Sequence, residues 1–543
     1  MRRIAPAFGP VLALVAITVP ATPAHSAVPH ASATSASHSL ERTTTSRSGI
    51  GLDSTSLGTS FVNVSWNWIK AASGYRVQVA KKADFSKVVT TRKKRNSSHR
   101  PAGGREATVV GNLRDAHYYW VRVRKVKGHH ASPWSRPVRV ATKAHVPDRF
   151  KSAHGQKGAN PGEARLTWKT PGGHTDFFRI TTALTPFGGR DSPAVGRHST
   201  TFTVPGNRRG VTLSAAQTAQ AGAGIGSGRF LFFRITAVRR GPADTATRPY
   251  PFLQHTAVAG QSARGNGTRL RVAQYNMHVA SKDIAGHPWK VRQHLIAKNI
   301  ARVSPAIASL QELMPTMWTD YNGGVGLDAA LKQEGAGRYK LTRTTPYWKG
   351  NGQDTHILYD PNKVTMVSSC PDTVPSCYIE IPDPIHQHVA AYAKFRDNAS
   401  GQEFYFVSAH LNTNNDAKTN DIRGRQVQAI SDGMKAINRQ NLPVIFGTDA
   451  NSSQTSQGGD SSHDVLLNEG WYNTFSAAKV VNAQYNSVNH YESPEKKSPY
   501  GIGSMYDTIS TLNMPGANLW KQVLTGAPWP SDHNMIFADL QLP

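Results

Sequence analysis

Pro530-Ser531-Asp532-His533-Asn534-Met535-Ile536 sets an Asp–His pair just ahead of the apolar run that closes the chain. A carboxylate and an imidazole held side by side at a strand edge suit work on a phosphate. One can neutralise or orient while the other passes a proton. Ser-Asp-His is also ordinary loop sequence, so its weight comes from what precedes it.

Working back from that pair to Leu270, strand patterns alternate with helical ones. Strands are expected at 270–275, 306–310, 356–359, 389–395, 404–409, 442–446, 507–510 and 534–540. Apolar residues at 291, 295, 296, 300 and 303 give one helical face, and 421–441 reads as a second helix. Such alternation specifies an α/β layer architecture. The strand ends carry acids, amides and imidazoles in order: Asn276, Gln311-Glu312, His410-Leu-Asn412, Gly447-Thr-Asp449-Ala-Asn451, Asp507 and Ser531-Asp532-His533. A single Asp-x-Asn often makes only an Asx turn. Six such ends in succession are hard to assign to turns.

That order resembles the endonuclease/exonuclease/phosphatase superfamily over about Thr268 to Pro543. The resemblance implies a four-layered α/β sandwich, deoxyribonuclease-I-like, that hydrolyses phosphodiesters or phosphomonoesters. The chemistry agrees: a phosphoester needs its charge neutralised, a water activated and a proton for the leaving oxygen. Glu312 is the leading ligand for Mg²⁺, with Mn²⁺ or Ca²⁺ as alternatives and Asn276 and Asp532 assisting, since hard cations take oxygen ligands. Asp449 partners the nucleophilic water, Asn451 donates to the phosphate, and His533 serves as base or acid oriented by Asp507. His410 supplies a second imidazole, with Asp354 as a partner suggested by position. Asn412 and His388 are candidate substrate contacts, although His388 also reads as a plain surface histidine. Two departures stand out. Relatives commonly read Gly-Asp-Phe-Asn, whereas Thr448 here intervenes between Gly447 and Asp449. The Arg-Ile-Asp of many relatives is Met505-Tyr506-Asp507.

The rest of the 543-residue chain is of another kind. Met1-Arg2-Arg3, the apolar run 11–17 and small residues near 21–27 read as a signal peptide over 1–27, so export is expected. The apolar run is too short to span a membrane, and no stable membrane insertion is expected. Residues 28–50 read as a flexible leader. Short alternating runs then predict a sandwich over 51–143. Trp66, Leu113, Tyr119-x-Val121-x-Val123 and Trp134-Ser135 resemble a fibronectin type III module, an immunoglobulin-like all-β fold, with Tyr119 at the tyrosine corner. Residues 144–258 read as a divergent copy, with Trp168 and Phe230–Ile235 matching and Leu231 where the corner Tyr should stand. Residues 259–267 read as a linker before the domain over 268–543.

Charge divides the chain the same way. Residues 28–267 hold 37 Lys+Arg against 10 Asp+Glu, whereas 268–543 hold 24 of each. The basic half should attract a polyanion, whether nucleic acid, an anionic cell-wall polymer or an anionic membrane surface, or else be a merely solvated surface. Arg92-Lys93-Lys94-Arg95, expected in an inter-strand loop, is its best phosphate contact. Cys370 and Cys377, the only cysteines, can close a short loop in an exported protein. They are too few for a thiolate zinc site. A monomeric secreted nuclease is the leading expectation. A sphingomyelinase-like phosphodiesterase or a phosphomonoesterase is the alternative, Pro346-Tyr347-Trp348 and Trp529 being the only hints of membrane contact. A polyanion-binding protein with a non-catalytic C-terminal domain is the reading from another class.

Overall fold

The computed structural model describes residues 49–56, 58–169, 174–184, 199–251, 254–263, 267–282, 286–319, 325–342, 355–368, 377–383, 388–413, 417–453, 460–492, 497–498 and 502–543. The expectations for residues 1–48, Pro346-Tyr347-Trp348, Asp354 and Cys370 fall outside these, as does the side chain of His388. Cys377 is disulfide-bonded.

Two β-sandwiches come first, and their strand orders match. In the first, Asp53–Ser56, Val62–Asn67 and Arg105–Val110 form one sheet. Val88–Arg95, Gly74–Ala80 and Tyr118–Lys127 form the other, with Val138–Ala141 also paired to Tyr118–Lys127. In the second, Ser152–Lys157, Ala164–Lys169 and Gly210–Leu213 face Thr200–Pro205, Phe177–Ala183 and Phe230–Arg240. A tryptophan packs against an aromatic of the opposing sheet in each, Trp66 on Tyr75 and Trp168 on Phe178, with ring centres 5.0 Å apart. Tyr119 accepts a hydrogen bond from the Arg114 N–H at 2.9 Å. Leu231, at the corresponding place, has no hydroxyl to repeat it. Arg92–Arg95 does not sit in a loop. It ends the edge strand Val88–Arg95, whose residues pair in register with Gly74–Ala80.

The C-terminal half is built on two seven-stranded sheets. The first orders Lys340–Leu341, His356–Tyr359, Ile307–Gln311, Arg269–Asn276, Ile536–Gln541, Leu519–Gln522 and Lys479–Val481. The second orders Val364–Met366, His388–Asp397, Glu403–His410, Val444–Asp449, Asp507–Leu512 and Tyr472–Asn473, with Tyr378–Ile381 added on His388–Asp397. Val272, Ile307 and Ile536 of the first share one apolar cluster with Phe404, Phe406 and Ile445 of the second. Opposite faces of the same strands pack elsewhere, as the two-residue period requires. Ala273, Tyr275 and Leu310 meet the helices Trp289–Val303 and Leu327–Gln333. Val407 and Phe446 meet Ala417–Ile437 and Ser461–Asn468. No helix among the described residues is long and apolar enough to cross a membrane.

The second sandwich is joined to this half by a largely apolar seam. Along Phe230–Arg240, Leu231 and Phe233 fill the sandwich core, while Phe230 and Phe232 enter the cluster between the two large sheets. Phe230 meets Phe475 edge-on at 5.2 Å, and Phe475 meets Trp520 at 4.6 Å. Gly226 and Gly228 permit the approach: both have positive φ, and a Cβ on Gly226 would lie 2.5 Å from the Tyr472 ring. Contacts also run through the segment expected to be a linker. Gln261 donates its N–H to Ser476 O, and its carbonyl accepts from the Ala517 N–H, each at 3.1 Å. Trp529 is buried, 2 % exposed, so it offers nothing to a membrane.

Candidate active site

Strand register assembles the site. In the second sheet Asp449 is paired on one side with His410 and on the other with Asp507, so three strand ends set their polar residues in one row. In the first sheet Asn276 is paired with Gln311, and Glu312 follows at once. The Asn276 amide spans the two sheets. It donates to Glu312 Oε1 at 3.0 Å and to Asp449 Oδ2 at 2.9 Å, while its oxygen accepts from the His278 N–H at 2.9 Å. Ser531 donates to Asn276 O at 2.8 Å, bringing the Asp532–His533 pair to the same place.

His533 lies between two carboxylates. Its Nδ1 is 2.9 Å from Asp507 Oδ2 and its Nε2 is 3.7 Å from Asp449 Oδ2. His410 Nε2 approaches the same Asp449 oxygen at 3.5 Å. Burial opposes charge on His533, but Asp507, Asp449 and Asp532 outweigh it and hold the imidazole well above its usual range. Asp449 is 1 % exposed; burial and the Asp507 charge raise its carboxyl above its usual range, against the pull of His533, His410 and Asn276. These atoms of Asp449, Asp507 and His533 lie close enough to share an ion. His533 Nδ1 is committed to Asp507 by a hydrogen bond, and the same row is laid out for proton transfer.

Glu312 is the better cation ligand. It sits at φ 59° and its Oε2 accepts from the Val279 N–H at 2.9 Å. Burial pushes its pKa up, but His410, Asn276, Val279 and His533 together draw it below the usual carboxylate range. It is partly exposed and has no Lys or Arg ion-pair partner among the described residues. An ionised carboxylate in that state suits a hard divalent cation such as Mg²⁺.

The remaining expected residues fall into three groups. Asp532 stands beside the row but is ion-paired to His278 Nδ1 at 2.9 Å, and that contact carries its carboxyl far below its usual range against the opposing effect of burial. Asn451 is at the rim; its amide donates to Leu411 O at 3.0 Å and its N–H to Asp449 Oδ1 at 3.0 Å. Asn412 is buried and donates to Asp383 Oδ2 at 2.6 Å, so its amide is committed to scaffolding in this geometry. His388 opens an edge-paired strand opposite Ile381. Arg92, Lys93, Lys94 and Arg95 belong to the first sandwich and are not part of this cluster.

Sequence reading missed a polar layer between the sheets. Gln274 donates to Asp507 Oδ1 at 3.2 Å, Gln311 donates to Gln274 Oε1 at 3.0 Å, and Ser309 meets Ser408 at 2.7 Å. Gly447 makes room: a Cβ there would lie 2.5 Å from Ser309 Cβ. The signal was available as Gln and Ser inside otherwise apolar strands, where unpaired they would be costly. His278 was missed as well, having no motif. Thr448, the extra residue, bonds Ala409 O at 2.9 Å and leaves Asp449 in register.

A further chain of contacts reaches this site from the second sandwich. His463 bonds Ser227 O through Nε2, and its Nδ1 lies 3.3 Å from Asp460 Oδ2. Asp460 accepts from Ser452 Oγ at 3.0 Å, one residue beyond Asn451. Arg229 pairs with Asp464 alongside. A cavity of about 40 Å³ in the seam is lined by Phe230, Phe232, His463, Phe475, Asp507 and Trp520.

No family model matches the chain, and no curated protein matches it. Solved structures similar to about half of the chain include proteins described as endonuclease/exonuclease/phosphatase family members. One such family protein from Bacteroides thetaiotaomicron is 22% identical over 51% of this chain and 100% of its own, with a TM-score of 0.40. A mannosyl-6-phosphatase from the same organism is 23% identical over 50% and 99%, TM-score 0.39. The human Nocturnin catalytic domain is 16% identical over 52% and 98%, TM-score 0.36.

Proposed function

We propose that the C-terminal half is a metal-assisted phosphoester hydrolase, that its physiological bond is the phosphodiester of extracellular nucleic acid, and that the protein is secreted. The observation that carries the reading is the row Asp507–His533–Asp449, tied through Asn276 to an ionised Glu312 that has no basic partner among the described residues. Carboxylates and imidazoles supply everything here. Ser531 is buried and bonded to Asn276 O, so it is no nucleophile. An activated water must therefore attack, and such a set suits phosphoryl transfer to water.

Asp449, its carboxyl biased toward taking a proton, faces the water, and the His533 imidazolium next to it stabilises charge or passes a proton. Asp507 orients the His533 ring through Nδ1 and favours its protonated form. His410 stands on the other side of Asp449 for the leaving oxygen. Glu312 would hold a divalent cation, which supplies charge neutralisation on the phosphate oxygens. Asn276 positions Glu312 and Asp449 together.

The succession of apolar clusters supports a four-layered reading, helix, sheet, sheet, helix. The matching sandwich orders and Tyr119 bond support fibronectin type III-like modules. The basic N-terminal half supports a nucleic-acid substrate over a small monoester. The test is Mg²⁺-dependent turnover of plasmid DNA, RNA, sphingomyelin and p-nitrophenyl phosphate by the full chain. Cleavage of DNA or RNA is expected; cleavage of sphingomyelin alone, or of the monoester alone, would refute the substrate, and no turnover of any would refute the hydrolase.

A further inference from the structure

One face of the first sandwich is cationic across its whole width. Arg76 lies in register between Lys93 on one neighbouring strand and Arg124 on the other. Arg95 is opposite Gly74, Arg122 opposite Gln78, and Arg139 opposite Trp120. Side chains alternate along a strand, so these project away from the core residues Tyr75, Val77, Val121 and Val123. The run read from sequence is thereby divided. Lys93 and Arg95 join this face, while Lys94 turns inward to within 3.9 Å of Glu106 Oε2.

Adjacent strands lie about 4.8 Å apart, and like charges directly opposite one another are destabilising. Arg76, Lys93, Arg95 and Arg124 have no ion-pair partner among the described residues, and the strands add no acid to that face. Aromatic rings are interleaved with the cations. Arg122 lies 4.0 Å from the Phe85 ring centre and 4.5 Å from that of Trp134, Arg124 lies 4.3 Å from Trp134, and Arg139 lies 4.5 Å from Tyr118. Stacking holds a guanidinium flat, and Arg122 also donates to Gln78 Oε1 at 2.9 and 2.7 Å. Tyr118 is 48 % exposed, and Trp120 beside it is half-buried. Burial and the Arg124 charge draw the Arg122 guanidinium below its usual range, consistent with uncompensated positive charge.

We propose that this sheet face is a binding platform for single-stranded nucleic acid: Arg76, Lys93, Arg95 and Arg124 track the phosphates and Tyr118 and Trp120 offer ring faces to bases. Basic grooves with outward aromatics bind single strands without sequence preference. A cell-wall polyanion has no base to stack, which favours nucleic acid. The platform works whether or not the C-terminal site cleaves, so binding is measured on the full chain in EDTA.

The probe is a fluorescent 20-nucleotide mixed-sequence single-stranded DNA, with inorganic polyphosphate of matched charge as the comparison. R76Q/K93Q/R95Q removes three exposed or half-exposed cations. It should lower the slope of log affinity against log salt by about 2, at roughly 0.7 per lost contact. Y118A should weaken DNA binding roughly five- to hundredfold while leaving polyphosphate binding unchanged. An unchanged slope in the triple variant would overturn the platform. Equal affinity for polyphosphate, with Y118A silent on both probes, would overturn nucleic acid as its ligand. Turnover of a small phosphoester should be retained in both variants.

Discussion

Replacing Asp507 by Asn should remove catalysis while leaving the site's shape. Asp507 Oδ1 accepts from Gln274 Nε2 at 3.2 Å and its Oδ2 faces His533 Nδ1 at 2.9 Å. An Asn here has one donor and one acceptor to distribute. With its oxygen toward Gln274, its amide N–H₂ points at His533 Nδ1 and demands a lone pair there. The imidazole is then neutral, with its proton fixed on Nε2 toward Asp449, and no longer carries the charge assigned to it in the parent. With the amide reversed, two donors meet at Gln274 inside a buried layer, at a cost of about 1–3 kcal/mol. The first orientation disables the row, and the penalty on the second favours it. Comparable changes to a histidine-orienting carboxylate cost about 10⁴ in kcat, so a fall of about 10³ to 10⁴ is expected on p-nitrophenyl phosphate or a diester analogue. KM should stay within a few-fold, because Asp507 is buried and touches no substrate. Retention of kcat within tenfold of the parent, with the variant folded by circular dichroism, would refute the roles given to Asp507 and His533.

Glu312→Gln keeps the bond to Val279 but loses the charge and the bond accepted from Asn276, and should abolish hydrolysis. Differential scanning fluorimetry with and without Mg²⁺ should show stabilisation of the parent and none of the variant; an undiminished Mg²⁺ shift would place the cation elsewhere. Asp460 has its carboxyl lowered to about 2: burial opposes this, but His463, Arg229 and Ser452 outweigh it. Lowering from the ordinary 3.8 stabilises the fold by about 2 kcal/mol. That contribution is fully present above about pH 3.8 and is lost as pH falls through about 2. Asp460→Asn should therefore lower the urea midpoint at pH 6 and converge on the parent in strong acid; an equal deficit at every pH would refute the linkage. Phe232→Ala should cost about 3–5 kcal/mol and lower the temperature at which hydrolysis is lost, since the ring closes the seam beside Asp507. A variant that unfolds only in its sandwich, with hydrolysis as heat-stable as before, would show the seam to be energetically idle.

Much of the C-terminal half was legible because its signals are local. Alternating periods gave the strands at 356–359 and 507–510, and the helix expected at 421–441 occurs at Ala417–Ile437. Short elements such as Leu519–Gln522 and Lys479–Val481 were missed, having too few residues to show a period. Tyr119 and Trp66 were readable for the same local reason. Arg92–Arg95 was misplaced because a run of charges looks like a loop until its edge strand supplies a partner on one side only. The seam left a trace that went unused. Tyr118–Lys127 alternates buried and exposed, whereas Phe230–Arg240 is buried on both faces and opens on four apolar residues in a row, as a strand covered twice there must be.

The amino-acid order alone determined which residue types stand at the strand ends, and therefore that the chemistry would be carried by acids, amides and imidazoles. It could not say which of them touch. Asn276 and Asp449 are 173 positions apart, and Gln274 and Asp507 are 233. Their meeting depends on the register of two sheets and on Gly447 leaving space for Ser309. Contacts of that kind arise only when the chain is packed, because they follow from side-chain volume and strand pairing between segments with no local pattern in common.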